Sequence, residues 1–154
     1  MNLLFDTNII LAIVRSKSAH RIMEYLNPKG SNIYVSFIGI AEAQSIAFQN
    51  SWGEHKMQIL VDFFKSVYVM NVSNSLLPTY IGIDAYSQCS HPEYQKYPFA
   101  TPRNMGKNDL WIAATASLLN LQLVTTDKDF DHLETSFLSL RRVPQTEIQK
   151  HFKN

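Results

Sequence analysis

The sequence predicts an α/β domain built on a mainly parallel sheet of about five strands. Short β-rich apolar runs alternate with helical runs along the chain, the pattern of strands joined by crossover helices. The 154 residues suit one domain and are enough to bury a core, and 45% of them are hydrophobic, as in folded soluble proteins. No internal repeat or low-complexity tract divides the chain, so residues 1–154 are read as one domain.

The elements follow in order. Residues 2–5 (Asn-Leu-Leu-Phe) read as a first strand, followed by a helix from Thr7 to Arg15 and a second from Ser18 to Leu26. Pro28-Lys29-Gly30 is a turn. Residues 32–36 form a second strand that leads into a helix from Ile38 to Gln49. A helix from Glu54 to Lys65 precedes a third strand at 67–72, and a helical stretch covers Ser75 to Gln88. Segment 90–106 contains three prolines and a glycine, which forbid a regular element. Loops of that length are often binding loops or lids. A helix from Asn108 to Asn120, a strand at 121–125 and a short turn or helix from Asp127 come next. A last strand lies near 138–143; Pro144 then opens a polar helical tail, 144–154.

Several classes are excluded. No apolar run approaches the roughly 20 residues of a membrane helix. The stretch Leu3–Val14 has no basic leader and carries Asp6 in its middle, unlike a signal peptide. A single cysteine, Cys89, permits no internal disulfide and reads as a small buried filler, so a cytoplasmic location is expected. No Gly-x-Gly-x-x-Gly turn follows a strand, and the five histidines lack zinc-site spacing. A receiver-type signalling domain needs a phospho-accepting Asp after its third strand, where this chain has Asn71-Val72-Ser73-Asn74.

Four acids stand out by position. Asp6 and Asp127 each follow a strand, where open parallel sheets bind ligands. Glu42 lies in line with Ile38 and Ile46 on what should be the buried stripe of its helix, with no nearby Arg or Lys on that face. Asp109 heads the stripe of Ile112, Ala113 and Ala116. Each of the three aspartates also has a plain reading as a helix cap or a dipole-complementing carboxylate. A buried glutamate instead needs a proton or a cation. A hard dication with oxygen ligands accounts for all four at once and supplies the chemistry of phosphodiester hydrolysis. Net charge is only +1, from 14 Lys and Arg against 13 Asp and Glu. With four acids gathered in one pocket, nine remain against 14 cations, an excess of five suited to a polyanionic substrate.

Four blocks carry a resemblance: Leu4-Phe5-Asp6-Thr7-Asn8, Val35-Ser36-Phe37-Ile38-Gly39-Ile40-Ala41-Glu42, Lys107-Asn108-Asp109-Leu110-Trp111-Ile112-Ala113-Ala114-Thr115-Ala116 and Leu123-Val124-Thr125-Thr126-Asp127-Lys128-Asp129-Phe130. In this order and spacing the chain resembles a PIN-domain nuclease, more narrowly a VapC-type toxin of a toxin–antitoxin pair. The resemblance implies a parallel sheet with helices on both sides and Asp6, Glu42, Asp109 and Asp127 meeting at the strand ends as catalytic and metal-site acids. It also implies Mg2+ or Mn2+ as cofactor, RNA as substrate, an antitoxin partner and a homodimer. Thr7, Asn8 and Thr125 match supporting positions, with a cap or turn bond as their plain role.

Segment 90–106 exceeds the usual connection before the third block, and the fourth block offers Asp129 and Asp131 beside Asp127. Spacing from the strand end favours Asp127. Arg103 and Lys107, flanking the loop, are candidates for phosphate contacts, with Arg15, Lys17 and Arg21 as another basic edge; each also reads as a solvated surface charge. Tyr94, Tyr97 and Phe99 either stack on unpaired bases or pin the loop, and Trp111 reads as core or interface filler. The alternative function is a catalytically silent PIN fold that binds RNA or a partner.

Overall fold

A computed structural model describes residues 1–150 of the chain. Strands β1 (Leu3–Phe5), β2 (Ile33–Ser36), β3 (Tyr68–Met70), β4 (Gln122–Thr125) and β5 (Ser139–Arg142) form one sheet in the order β3-β2-β1-β4-β5. Every pairing is parallel, so all five strands end on one edge. The order reverses at β1, and the crevice above β1 and β4 is the topological switch point where such sheets bind ligands.

Alternation along β1 explains the layers. Leu3 and Phe5 join one apolar cluster and Leu4 joins the other, so the central strand is buried on both faces. Helices α1 (Thr7–Arg15), α2 (Ala19–Leu26), α3 (Phe37–Gln49) and α4 (Glu54–Lys65) supply the first cluster through Ile10, Ile22, Ala43 and Leu60. Helices α5 (Leu77–Ser87) and α6 (Lys107–Leu118) supply the second through Ile83, Tyr86, Ile112 and Ala113. Helices on both faces are therefore present as the resemblance implies. After β5, α7 runs Gln145–Lys150 and buries Ile148; the end of the expected tail lies outside the described residues.

Boundaries differ from the sequence reading by a residue or two, with informative exceptions. The stretch read as a helix from Ser75 begins as a 3₁₀ turn, Asn74–Leu76, because Pro78 sits in the first turn of α5 and forbids a continuous ladder before it. Cys89 is not a buried filler. It is half-exposed with φ 56° just past α5, where a left-handed residue closes the helix while Ser90 N–H bonds Ala85 C=O at 2.8 Å.

Segment 90–106 contains no helix or strand, yet it is pinned to the body. The buried Tyr86 ring on α5 receives Tyr94, Tyr97 and Phe99 at centroid distances of 4.8, 5.3 and 5.5 Å. The loop aromatics thus fasten the loop, which takes Tyr94 and Tyr97 out of contention as free stacking platforms. Trp111 is half-buried against Tyr80, 4.3 Å between ring centroids.

Candidate metal centre and its surroundings

Asp6 follows β1 directly. Its N–H bonds Val124 C=O at 3.0 Å, extending the β1–β4 ladder by one rung. Its side chain caps α1, Oδ1 accepting the Thr7 N–H at 2.8 Å, while Oδ2 accepts the Thr125 hydroxyl at 2.7 Å. The cap reading of Asp6 is therefore correct. It does not exhaust the residue, because the carboxyl is buried yet, among the described residues, only two donors reach it. Burial, with smaller repulsion from Glu42 and Asp127, raises Asp6 to about pKa 6 against the two hydrogen bonds.

Asp109 sits in the first turn of α6, whose cap residue is Gly106. Partial burial and the charges of Asp6, Asp127, Glu42 and Asp129, in that order, push it up to about 7. Asp6 and Asp109 thus each feel the charges of Glu42 and Asp127, the four acids coming from two strand ends and two helices. Asp127 caps the 3₁₀ helix Lys128–Leu133, Oδ1 accepting the Asp129 N–H at 2.9 Å. That tight turn curls Asp129 back, so one carboxylate oxygen each from Asp109, Asp127 and Asp129 lies within 4.8 Å of the others. Spacing from the strand end consequently does not separate Asp127 from Asp129. Asp131 leaves the group, pairing with Arg142 at 2.9 Å.

Glu42 requires a correction. The buried face of α3 is Gly39, Ala43 and Ala47, whereas Ile38, Glu42 and Ile46 are half-buried beside it. The small residues let α3 approach α1 so closely that a Cβ on Gly39 would meet Thr7 Oγ1 at 3.4 Å. Glu42 is thereby carried to the rim of the crevice, where its Oε1 accepts the Thr7 hydroxyl at 3.3 Å. Half-exposed there, the carboxylate is open to solvent, so burial alone does not demand a cation. A shallow, open surface depression lined by Glu42, Ser45 and Asn108 lies beside it.

The supporting residues form a chain across β1 and β4. Thr125 Oγ1, donating to Asp6, also accepts the Asp127 N–H at 3.0 Å and Asn8 Nδ2 at 3.4 Å. Asn8 Oδ1 accepts the Thr126 N–H at 3.3 Å. One buried hydroxyl thus fixes two of the acids relative to each other.

The basic candidates separate. Lys107 is exposed as the first residue of α6. Arg103 lies over the Phe99 ring at 5.6 Å, its N–H bonded to Ser87 C=O at 2.7 Å. Arg15 packs over Trp52 at 5.7 Å at the end of α1, roughly 13 Å along the helix from the acids, with exposed Lys17 and Arg21 beyond it. Sequence reasoning missed Ser87 and His132. The fully buried Ser87 hydroxyl meets His132 Nε2 at 2.7 Å, and burial with the nearby Arg103 charge lowers His132 to about pKa 4, leaving it neutral. Nothing local in the sequence signals that pair, since 45 residues separate its members.

A parallel α/β sheet with clustered carboxylates at its switch point is the class of arrangement that can hold a divalent cation beside a bound ligand. The PIN domain family profile matches residues 3–135, and the chain belongs to that family, a family of nucleases. No curated relative matches. Among solved structures, the chain is similar to VapBC2 from Rickettsia felis bound to a DNA fragment from their promoter: TM-score 0.70, 23% identity, 92% of this chain and 98% of that one covered. It is similar to VapBC-1 from nontypeable Haemophilus influenzae, with TM-score 0.68, 23% identity and the same coverage of 92% and 98%. A third is VapBC-5 from Mycobacterium tuberculosis, of the VapBC family of toxin-antitoxin systems, at TM-score 0.64, 17% identity and again 92% and 98% coverage. No helix among the described residues is long and apolar enough to cross a membrane.

Proposed function

We propose that the chain is a metal-dependent endoribonuclease acting as the toxin of a type II toxin–antitoxin pair. The observation that carries this reading is the approach of Asp109, Asp127 and Asp129 to within 4.8 Å of one another, beside an Asp6 and an Asp109 raised in pKa first by burial and then by the charges of neighbouring acids. Such a donor set fits Mg2+ or Mn2+: hard oxygens, partly desolvated, and poorly tolerated as bare anions. Asp6, Glu42, Asp109 and Asp127 would hold the ion, with Asp129 as a further carboxylate beside them. A bound dication supplies charge for the phosphoryl transition state and lowers the pKa of a coordinated water.

The chain's own residues set the stage for that chemistry. The Thr125 hydroxyl and the Thr7 N–H favour the ionised form of Asp6 and partly offset its burial, and Thr7 and Asn8 bond Glu42 and the β4 end. Arg103 and Lys107 attract the phosphate backbone along the loop side. The similarity to VapBC structures supports an antitoxin as partner. Exposed Leu77 and Ile81, one turn apart on α5, are apolar surface that the second copy of a homodimer would cover.

The test is cleavage of single-stranded RNA with Mn2+ and with EDTA, repeated for Asp6→Asn and Asp109→Asn. Metal-dependent cleavage abolished by both substitutions is expected. Cleavage in EDTA, or unimpaired variants, refutes the reading; tight Mn2+ binding without cleavage favours the silent alternative.

A further inference from the structure

Loop 90–106 does more than cover the second apolar cluster. Between it and the 3₁₀ helix Lys128–Leu133 lies a cleft of about 580 Å³, lined among others by Phe99, Arg103, Lys128 and His132. That size suits one nucleotide. Of its carboxylates, Asp131 is engaged by Arg142, which leaves Glu134 against Arg103 and Lys128. Among the described residues neither cation has a carboxylate partner within salt-bridge distance.

The exposed Arg103 guanidinium lies against the Phe99 ring. Its backbone is tied to Ser87, its charge rests on Phe99, and Phe99 meets the His132 ring edge-on at 5.4 Å. A planar cation resting on a ring in this way offers a stacking face as well as donors. Lys128 stands in sequence between Asp127 and Asp129, so a strand whose phosphate reaches those acids passes it.

We propose that this cleft is a subsite for one unpaired nucleotide of a single-stranded RNA, its base stacked on the Arg103–Phe99 pair and its phosphate held by Arg103 and Lys128. The assignment rests on the ribonuclease reading and names where that substrate is gripped away from the acids. The long loop then sets which RNA is accepted, because it builds the wall that a shorter connection lacks.

The experiment measures binding of a fluorescent 12-nucleotide single-stranded RNA by anisotropy, in Asp109→Asn protein without added metal. Adding Arg103→Ala or Lys128→Ala is expected to raise Kd about tenfold, the low end for one stacked base. The slope of log affinity against log salt should fall by about 0.7 for each charge removed. Lys65→Ala, exposed at the end of α4, should change Kd less than about twofold. In the otherwise unaltered enzyme the same substitutions should raise KM about tenfold with kcat little changed. Unchanged Kd and salt slope, or no RNA binding at all, overturns the subsite. Cleavage that ignores both substitutions overturns the subsite alone, whereas RNA gripped through Arg103 and Lys128 but never cleaved overturns the ribonuclease reading alone.

Discussion

Thr125 donates its hydroxyl to Asp6 at 2.7 Å across the β1–β4 seam, and the same oxygen accepts the backbone N–H of Asp127 at 3.0 Å. A single side chain with no formal charge thus sets the spacing between the acids that end two neighbouring strands. Groups that orient metal-binding carboxylates are worth about 10–100-fold in affinity or activity when removed. Thr125→Val keeps the shape and loses the oxygen, so it should weaken Mn2+ binding and cleavage within that range. It should also cost about 1–3 kcal/mol of stability, because Asp6 stays buried with one donor fewer. Thr125→Ser should remain within a few-fold of the parent. Calorimetric Mn2+ titration of the three proteins checks this, and equal affinities for Val and Thr would refute it.

The raised pKa values make a stability prediction with a definite sign. An unfolded aspartate titrates near 3.8, whereas folded Asp6 titrates near 6 and Asp109 near 7. The folded chain therefore binds these protons more tightly than the unfolded chain, and stability falls as pH rises from about 4 to 7. For Asp6 the loss is on the order of 3 kcal/mol. Asp109 is more open, so solvent screening makes its share smaller than its shift suggests. Thermal unfolding in EDTA should show Asp6→Asn gaining on the parent across this window, with Mn2+ restoring the parent above pH 7. A difference between the two proteins that does not vary with pH would sink the account.

Asp127 and Asp129 offer a sharper division of labour than spacing allows. Both place an oxygen near Asp109, but Asp127 also caps the 3₁₀ helix and is tied to Thr125, while Asp129 is exposed and lacks that second tie. Preorganised charge contributes most to catalysis. Asp127→Asn should therefore reduce kcat by about 100-fold or more and Asp129→Asn by about tenfold or less. Single-turnover cleavage at saturating Mn2+ decides; the reverse order would make Asp129 the fourth acid.

These positions also show what a sequence carries. Asp6 and Asp127 are legible because a strand end is a local pattern, and parallel pairing fixes which edge they share. Helix α1, read from Thr7 to Arg15, forms over those same residues because Asp6 caps it and apolar residues fill it. Glu42 was misjudged for a physical reason: Ile38 and Ile46 suggested the buried stripe, yet helix proximity on α3 is decided by Gly39, Ala43 and Ala47. Size, not hydropathy, chose that face. The Ser87–His132 bond and the return of Asp129 depend on contacts and turn geometry that no spacing rule encodes.

The loop makes the last prediction independent of any activity. Tyr86 is almost wholly buried and carries Tyr94, Tyr97, Phe99 and Phe137 on its ring, while its hydroxyl makes only a 3.4 Å contact with Ser136. Ring packing, not the hydroxyl, holds segment 90–106 down. Tyr86→Phe should then cost less than about 1 kcal/mol, within the usual net worth of one hydrogen bond. Tyr86→Ala should cost about 3–5 kcal/mol, as other deletions of buried aromatic rings do. Lys96 and Arg103, both exposed in the loop, are trypsin sites that a freed loop presents as extended chain. Cleavage there should accelerate strongly in Tyr86→Ala and hardly at all in Tyr86→Phe. Urea unfolding run beside the digestion separates a loosened loop from a loosened domain: faster nicking at these two sites below the unfolding midpoint is the expected outcome. Equal rates in the parent and Tyr86→Ala would mean that the loop is fastened elsewhere.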